Sequence, residues 1–348
     1  MNTINKNLTS SLFWMGFVLI VIICISVSLG TVSIPLFQVI SDCFKAEDLR
    51  HGDFIMNTYI IMQVRMPRVI LCLLTGISLG IGGCIMQTLF HNPLASPFTM
   101  GVSSAASFGA ALAMVLGVNV FGENLLFEGY SYVTINAFIF GLLSLGIVST
   151  VAKISKSEMS VLILVGTAVN SLFSAGVSIL KYISDAEALK NLEMWLMGGF
   201  WGANWQSISI LFPILLISIV CLIKMSWDFN ALNAGEETAS SLGVSVKWLK
   251  KTAIFFVTLI TSVTIAFAGI IGFVGLVAPH IARSIVGTDN RYLIPSSAFI
   301  GAILLLASDT IARVLISPRE IPVGIITAVI GVPFFLYILS NRKNKTWG

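Results

Sequence analysis

Charge is what this sequence has least of. Asp, Glu, Lys and Arg together make up 10% of its 348 residues, where a soluble domain carries about a quarter. So few charges cannot keep a chain of this length in water, which excludes an ordinary soluble enzyme or binding domain. The net charge of +4 does not point to nucleic acid, because basic inner loops of a membrane protein account for it. Cysteine is also sparse. Cys24, Cys72, Cys84 and Cys221 lie inside apolar stretches and Cys43 stands alone, so neither a disulfide framework nor a thiolate metal site is expected. They read as small buried hydrophobes. His51, His91 and His280 are far apart, with no Cys or His neighbour, and no metal cluster is expected from them. No Gly-Lys dipeptide occurs, which removes the P-loop and nucleotide binding of that type. H-E-x-x-H is missing too. The chain is expected to hydrolyse no ATP and to bind no cofactor. Work against a gradient would need an ion gradient or a partner.

What the sequence has is apolar length. Hydrophobic residues make up 56% and the mean hydropathy is +0.95. A bilayer core of about 30 Å takes roughly 20 apolar residues per helix. Candidate spans run over about 12–30, 66–86, 98–117, 132–152, 159–180, 206–224, 252–271, 274–286, 292–315 and 321–340. The expected fold is all-α: a polytopic membrane protein of about ten transmembrane helices, one domain over residues 1–348. The eighth span is short and crosses only if its neighbours cover the broken backbone. Lys6 before the first apolar run suits a signal peptide, but the run ends Ser28-Leu-Gly-Thr-Val without an A-x-A site, so a retained helix is expected. With the N-terminus in the cytoplasm, twelve of the 20 Lys and Arg fall inside and eight outside. This favours N-in and C-in.

Four blocks carry more specific information. The first is Arg65-Met-Pro-Arg68, entering a glycine-rich span that ends Gly82-Gly-Cys-Ile-Met-Gln87. The second is His91-Asn-Pro-Leu-Ala-Ser-Pro97, then Gly101-Val-Ser. The third is Gly272-Phe-Val-Gly-Leu-Val-Ala-Pro-His-Ile-Ala-Arg283, continuing through Gly287-Thr-Asp-Asn-Arg291 and Pro295. The fourth is Asp309-Thr-Ile-Ala-Arg313, then Glu320-Ile-Pro-Val-Gly324 and Gly331-Val-Pro-Phe. In order and spacing, from about residue 60 to the C-terminus, they resemble the FecCD family, the membrane subunits of ATP-binding-cassette (ABC) importers for iron–siderophore complexes, haem and vitamin B12. The resemblance implies the ABC importer type II permease fold, with ten helices per subunit. It also implies a second permease copy or paralogue, a cytoplasmic ATPase dimer that holds ATP and Mg, and an extracytoplasmic substrate-binding protein. The expected location is a bacterial cytoplasmic (inner) membrane.

Residue roles follow position by position. In the loop of about 230–243, Asn233 and Glu236 have capping-box spacing and Gly243 is placed to stop a helix in the left-handed region. A helix of two to three turns is expected between them. A solvated connector explains such a helix; the resemblance implies instead an ATPase-coupling helix with Glu236, Glu237, Ala239, Leu242 and Gly243 at the contact. Arg65, Arg68 and Arg313 sit at outer membrane edges against the positive-inside trend. Headgroup snorkelling explains Arg65 and Arg68, and Asp309 four residues before Arg313 would neutralise it; the resemblance implies docking of the binding protein by all three. Asn92, Pro93 and Leu94 form either a helix-joining turn or, as the resemblance implies, a cytoplasmic gate. Glu320 reads as a charge favoured at the start of the last helix. Gly76 with Gly80, and Gly101, Ala105 and Gly109, have close-packing spacing. Trp195, Trp201 and Trp205 mark an outer interface or line a re-entrant helix. The competing class is an ion-gradient-driven secondary transporter. It needs ionisable residues at mid-membrane, and Asp309 is the main candidate here. An intramembrane enzyme would need a paired His, Asp or Ser–Lys constellation, which is missing.

Overall fold

In hydrocarbon every backbone N–H and C=O must be bonded within the protein, which leaves helices and closed barrels. The apolar runs of this chain form helices. The computed structural model describes residues 2–30, 34, 35, 37, 57–118, 130–154 and 159–340. Cys43 and His51 lie outside the described residues, among which there is no strand. The α-helices are α1 (Asn2–Ser28), α2 (Met66–Phe90), α3 (Val102–Leu116), α4 (Tyr130–Ile154), α5 (Met159–Ile183), α6 (Ala186–Leu196) and α7 (Trp205–Lys224). Then come α8 (Ser226–Asn233), α9 (Glu236–Ser241), α10 (Val246–Ala268), α11 (Val274–Val286), α12 (Asn290–Val314) and α13 (Val323–Ser340). Among the described residues 7 helices are long and apolar enough to cross a membrane, and three shorter apolar ones, α3, α11 and most of α13, account for the rest of the expected spans.

The second span starts earlier than its hydropathy suggests. Helix runs from Asn57 to Phe90, with a wider π-turn over Ile60–Arg65 just before Pro67. Proline lacks an N–H and its ring crowds the carbonyl four residues back; a π-turn absorbs both without ending the helix. The eighth span, α11, has 13 residues, about 20 Å. Its approach from Gly269 to Phe273 is not helical, and Phe273 itself takes φ +65°. Gly198 lies close to the Ile270 carbonyl of that stretch and Gly269 close to the Trp195 carbonyl. The Gly199 N–H donates to the Ala268 carbonyl at 2.9 Å, and α11 lies against α2, α12 and α13.

Helix α2 is the axis of the fold. Its best apolar window is 83% buried, against 17% for α1. It packs most extensively against antiparallel α12, then α11 and α10. Gly76 meets Gly301, and a Cβ at Gly80 would overlap the Ser297 carbonyl oxygen. Two backbones therefore touch where lipid offers no hydrophobic drive, so that dispersion contacts must hold the pair. The pairing fixes both ends: Arg68 faces Asp309 at one, and Thr88 faces Asn290 at the other.

Candidate functional site

At the first end the structure brings Arg65, Arg68 and Arg313 together, but it turns them inward. Arg65 Nη1 donates to the Val27 and Ser28 carbonyls at 2.7 and 2.9 Å. Arg313 donates through Nη2 to the Ser26 carbonyl at 3.1 Å and to Ser26 Oγ at 2.6 Å, and through Nη1 to the Leu29 carbonyl at 3.1 Å. Ser26, Val27 and Ser28 belong to the last turn of α1, whose carbonyls lack intrahelical partners and form the negative end of the helix dipole. Two guanidinium groups thus cap α1. Arg68 Nη2 meets Asp309 Oδ1 at 2.9 Å, its Nη1 meets Glu320 Oε2 at 2.8 Å, and Arg313 Nε meets Asp309 Oδ2 at 3.0 Å. Arg65 and Arg313 are 5% and 4% exposed; the Arg68 side chain is 12% exposed.

These are not three arginines presented to water at a rim, as the docking expectation requires of a free surface. In this conformation they join α1, α2 and α12 internally. The i,i+4 neutralisation of Arg313 by Asp309 was legible from spacing. The Arg68–Asp309 pair, 241 residues apart, was not. Glu320 also departs from the expectation, because α13 begins only at Val323 and the carboxylate serves Arg68. Trp195, Trp201 and Trp205 do not act alike: Trp195 is buried in α6, while Trp205 Nε1 donates to the Met62 carbonyl at 3.0 Å.

At the opposite end lie the α8–α9 connection and the turn after α2. The expected capping box does not form. Asn233 ends α8, Gly235 is the N-cap of α9 at φ +109° without a side-chain cap, and α9 has six residues. Gly235 interrupts the chain where a continuous helix was expected. Glu236 turns to Lys250. Gly243 takes φ +86°, and nothing lies within 4 Å of an added Cβ. Backbone conformation therefore requires glycine there, not space. Glu236, Glu237, Leu242 and Gly243 are exposed and Ala239 is buried. Leu242 stands 69% exposed, and Trp227 of α8 and Trp248 of α10 are exposed as well. The Asp289 carboxyl, N-cap of α12, is held below the usual carboxylate range first by the hydrogen bond from Arg291, with Asn230 adding to it.

The turn after α2 is tight. His91 takes φ +46°, and Asn92 Oδ1 accepts the Leu94 N–H at 2.9 Å. Asn92 and Pro93 are half-buried and Leu94 is exposed. The His91 Nε2 lies 3.3 Å from the Leu232 carbonyl of α8.

A third feature escaped the sequence reading. Helix α5 exposes Thr167, Asn170, Ser171, Ser174 and Ser178, which at helical spacing fall within about 100° of arc. Val169, Phe173, Val177 and Leu180 pack inward from a second sector, and Leu164, Leu172 and Ile179 fill a third, apolar and exposed. Hydropathy averaged over the span hides this arc; the polar residues recurring at i, i+3, i+4, i+7 and i+11 reveal it. Hydroxyls and an amide on an exposed sector suit water or another protein better than lipid. Among the described residues, no group of three His, Cys, Asp or Glu is gathered to hold a metal ion.

Among the described residues, a bundle of long apolar helices with a polar exposed arc on α5 defines a polytopic membrane protein. Comparison with known proteins narrows the class. The FecCD transport family matches residues 18–341. The hemin transport system permease protein HmuU of Yersinia pestis is 33% identical over 337 residues, 96% of this chain and 97% of its own length. The molybdate import system permease protein MolB of Haemophilus influenzae is 35% identical over 95% of this chain and 96% of its own. The Fe(3+)-citrate import system permease protein YfmE of Bacillus subtilis is 36% identical over 94% of each. A chain solved in an inward-facing, metal-chelate type ABC transporter superposes with a TM-score of 0.83 at 32% identity, covering 95% of this chain and 99% of that one. The chain belongs to the FecCD transport family. It is a permease subunit of an ABC importer, and ATP hydrolysis lies in a separate subunit.

Proposed function

We propose that this permease carries an iron chelate, haem or a similar large metal complex into the cytoplasm. Two permeases, copies or paralogues, would stand side by side with the polar arc of α5 lining the passage between them. That arc is the observation that carries the reading. A single chain leaves it uncovered, and hydroxyl and amide groups without a charge can pass a bulky polar complex without trapping it. Relatives named for hemin, Fe(3+)-citrate and molybdate support chelates and leave an oxyanion as the other cargo. The orientation is N-in and C-in in a bacterial inner membrane, which places the α8–α9 loop and the turn at Asn92, Pro93 and Leu94 in the cytoplasm.

In this reading Glu236, Glu237, Leu242 and Gly243 meet the ATPase, and buried Ala239 seats α9. Asn92, Pro93 and Leu94 form the inner gate. A binding protein docks over the opposite end. There Arg68 and Glu320, whose side chains are 12% and 24% exposed, lie nearest the surface, with Arg65 and Arg313 holding the rim from behind. The secondary-transport reading loses its main residue, because Asp309 is closed between Arg68 and Arg313. Co-purification with a P-loop ATPase tests the class. Gly243→Val tests the contact: a β-branched residue at φ +86° is strained by about 1–3 kcal/mol. It should abolish uptake and stimulated ATP hydrolysis while membrane insertion persists. Survival of both activities sinks the coupling assignment.

A further inference from the structure

The amide side chain of Asn230 joins α8 to α12. Its Oδ1 accepts from the Asn290 backbone N–H at 2.8 Å and from Asn290 Nδ2 at 3.0 Å. Its Nδ2 donates to Asp289 Oδ1 at 2.7 Å. This orientation is forced, because the backbone N–H can only donate and the carboxylate can only accept. Asn290 is fully buried and continues the chain of bonds: its Oδ1 accepts from Thr88 Oγ1 at 3.3 Å. Thr88 lies in the last turn of α2, three residues before His91, whose ring reaches back to the Leu232 carbonyl of α8 at 3.3 Å. The end of α2 is therefore tied to α8 twice, once through Asn290 and once directly. The tied turn leads straight into Asn92, Pro93 and Leu94.

A solvated connector needs no buried amide of this kind. Burying an amide costs unless its hydrogen bonds are made, and here the partners come from three separate helices. Such a connected polar network, with its buried groups satisfied, moves as a unit or breaks.

We propose that Asn230, Asn290 and Thr88 form a relay that carries displacement of the α8–α9 loop to the gate turn, with Asn290 as its central positioning residue. The proposal rests on the coupling and gate reading above. Rigid α8 moves Asn290 and Leu232 together, and these move Thr88 and His91. The hydroxyl and amide groups transmit direction as well as distance, because each bond constrains an angle.

The test uses the full transporter co-expressed with its ATPase, carrying Leu94→Cys in a chain whose native cysteines are replaced by alanine. Labelling of that thiol by a charged maleimide is timed without nucleotide and with ATP plus vanadate. The parent should show a nucleotide-dependent change in rate. Thr88→Val, nearly isosteric, and Asn290→Ala should each shrink that change by about fivefold or more, with co-purification of the ATPase retained. The double variant should shrink it no further than the stronger single variant, because a relay broken once is already broken. A full nucleotide response in both single variants, or additive losses in the double, overturns the relay and leaves the coupling reading standing. No response in the parent overturns the gate reading and the relay with it. Loss of assembly in both single variants shows that the bonds are structural, which also overturns the relay.

Discussion

Replacing Asp309 with leucine removes one carboxylate and leaves two buried guanidinium groups facing each other. Asp309 is fully buried and meets Arg68 at 2.9 Å and Arg313 at 3.0 Å. At an effective dielectric of about 20, each contact is worth about 5–6 kcal/mol of Coulomb energy. Desolvation of all three groups and repulsion between the arginines offset most of that. The loss expected on breaking the cluster is about 3–5 kcal/mol, the range for removing one partner of a buried pair. Glu320 still holds Arg68 and lowers the loss toward the bottom of that range. The double variant Asp309→Leu, Arg313→Met should cost clearly less than the two single changes together, because the second substitution removes the stranded charge. It will not be neutral, since Arg313 also caps α1. Equilibrium unfolding of the purified chain in mixed micelles measures both quantities. A shift below about 1 kcal/mol for Asp309→Leu, the size typical of exposed ion pairs, would refute the reasoning. It would return the arginines to a surface, where docking alone explains them.

Two further expectations concern packing and orientation. Gly80→Ala places a methyl group on the Ser297 carbonyl and should destabilise the α2–α12 pair by about 1–3 kcal/mol. Gly272→Ala, with nothing within 4 Å of its Cβ, should be neutral in the same unfolding assay; equal effects would refute the close approach. Single cysteines at the exposed positions Lys190 and Leu242 should react with an impermeant label from outside and only from inside, respectively. Outside labelling at Leu242→Cys would reverse the orientation.

Legibility followed the range of the interaction. The ten apolar spans, the close-packing glycines Gly76 and Gly80, and the left-handed Gly243 were legible because each depends on neighbours within a turn or on hydropathy over about 20 residues. The capping box at Asn233 and Glu236 was legible and did not form. Its spacing was right, but Gly235 breaks the helix between the two residues, and Glu236 turns to Lys250 instead. The π-turn before Pro67 left only the proline as a signal.

The sequence by itself determined that this chain lives in a membrane, that it is built of helices and that it carries the FecCD motif blocks. Backbone hydrogen bonding in lipid leaves helices and closed barrels, and uncharged runs of about 20 residues fit helices rather than strands of about ten. Beyond the i,i+4 pair of Asp309 and Arg313, tertiary structure alone decided what the buried charges do. Arg65 and Arg313 cap a helix that ended more than thirty residues before the nearer of them, and Arg68 finds Asp309 241 residues away. A buried charge must find its partner wherever packing brings one within about 3 Å, and no local spacing records which segment that will be.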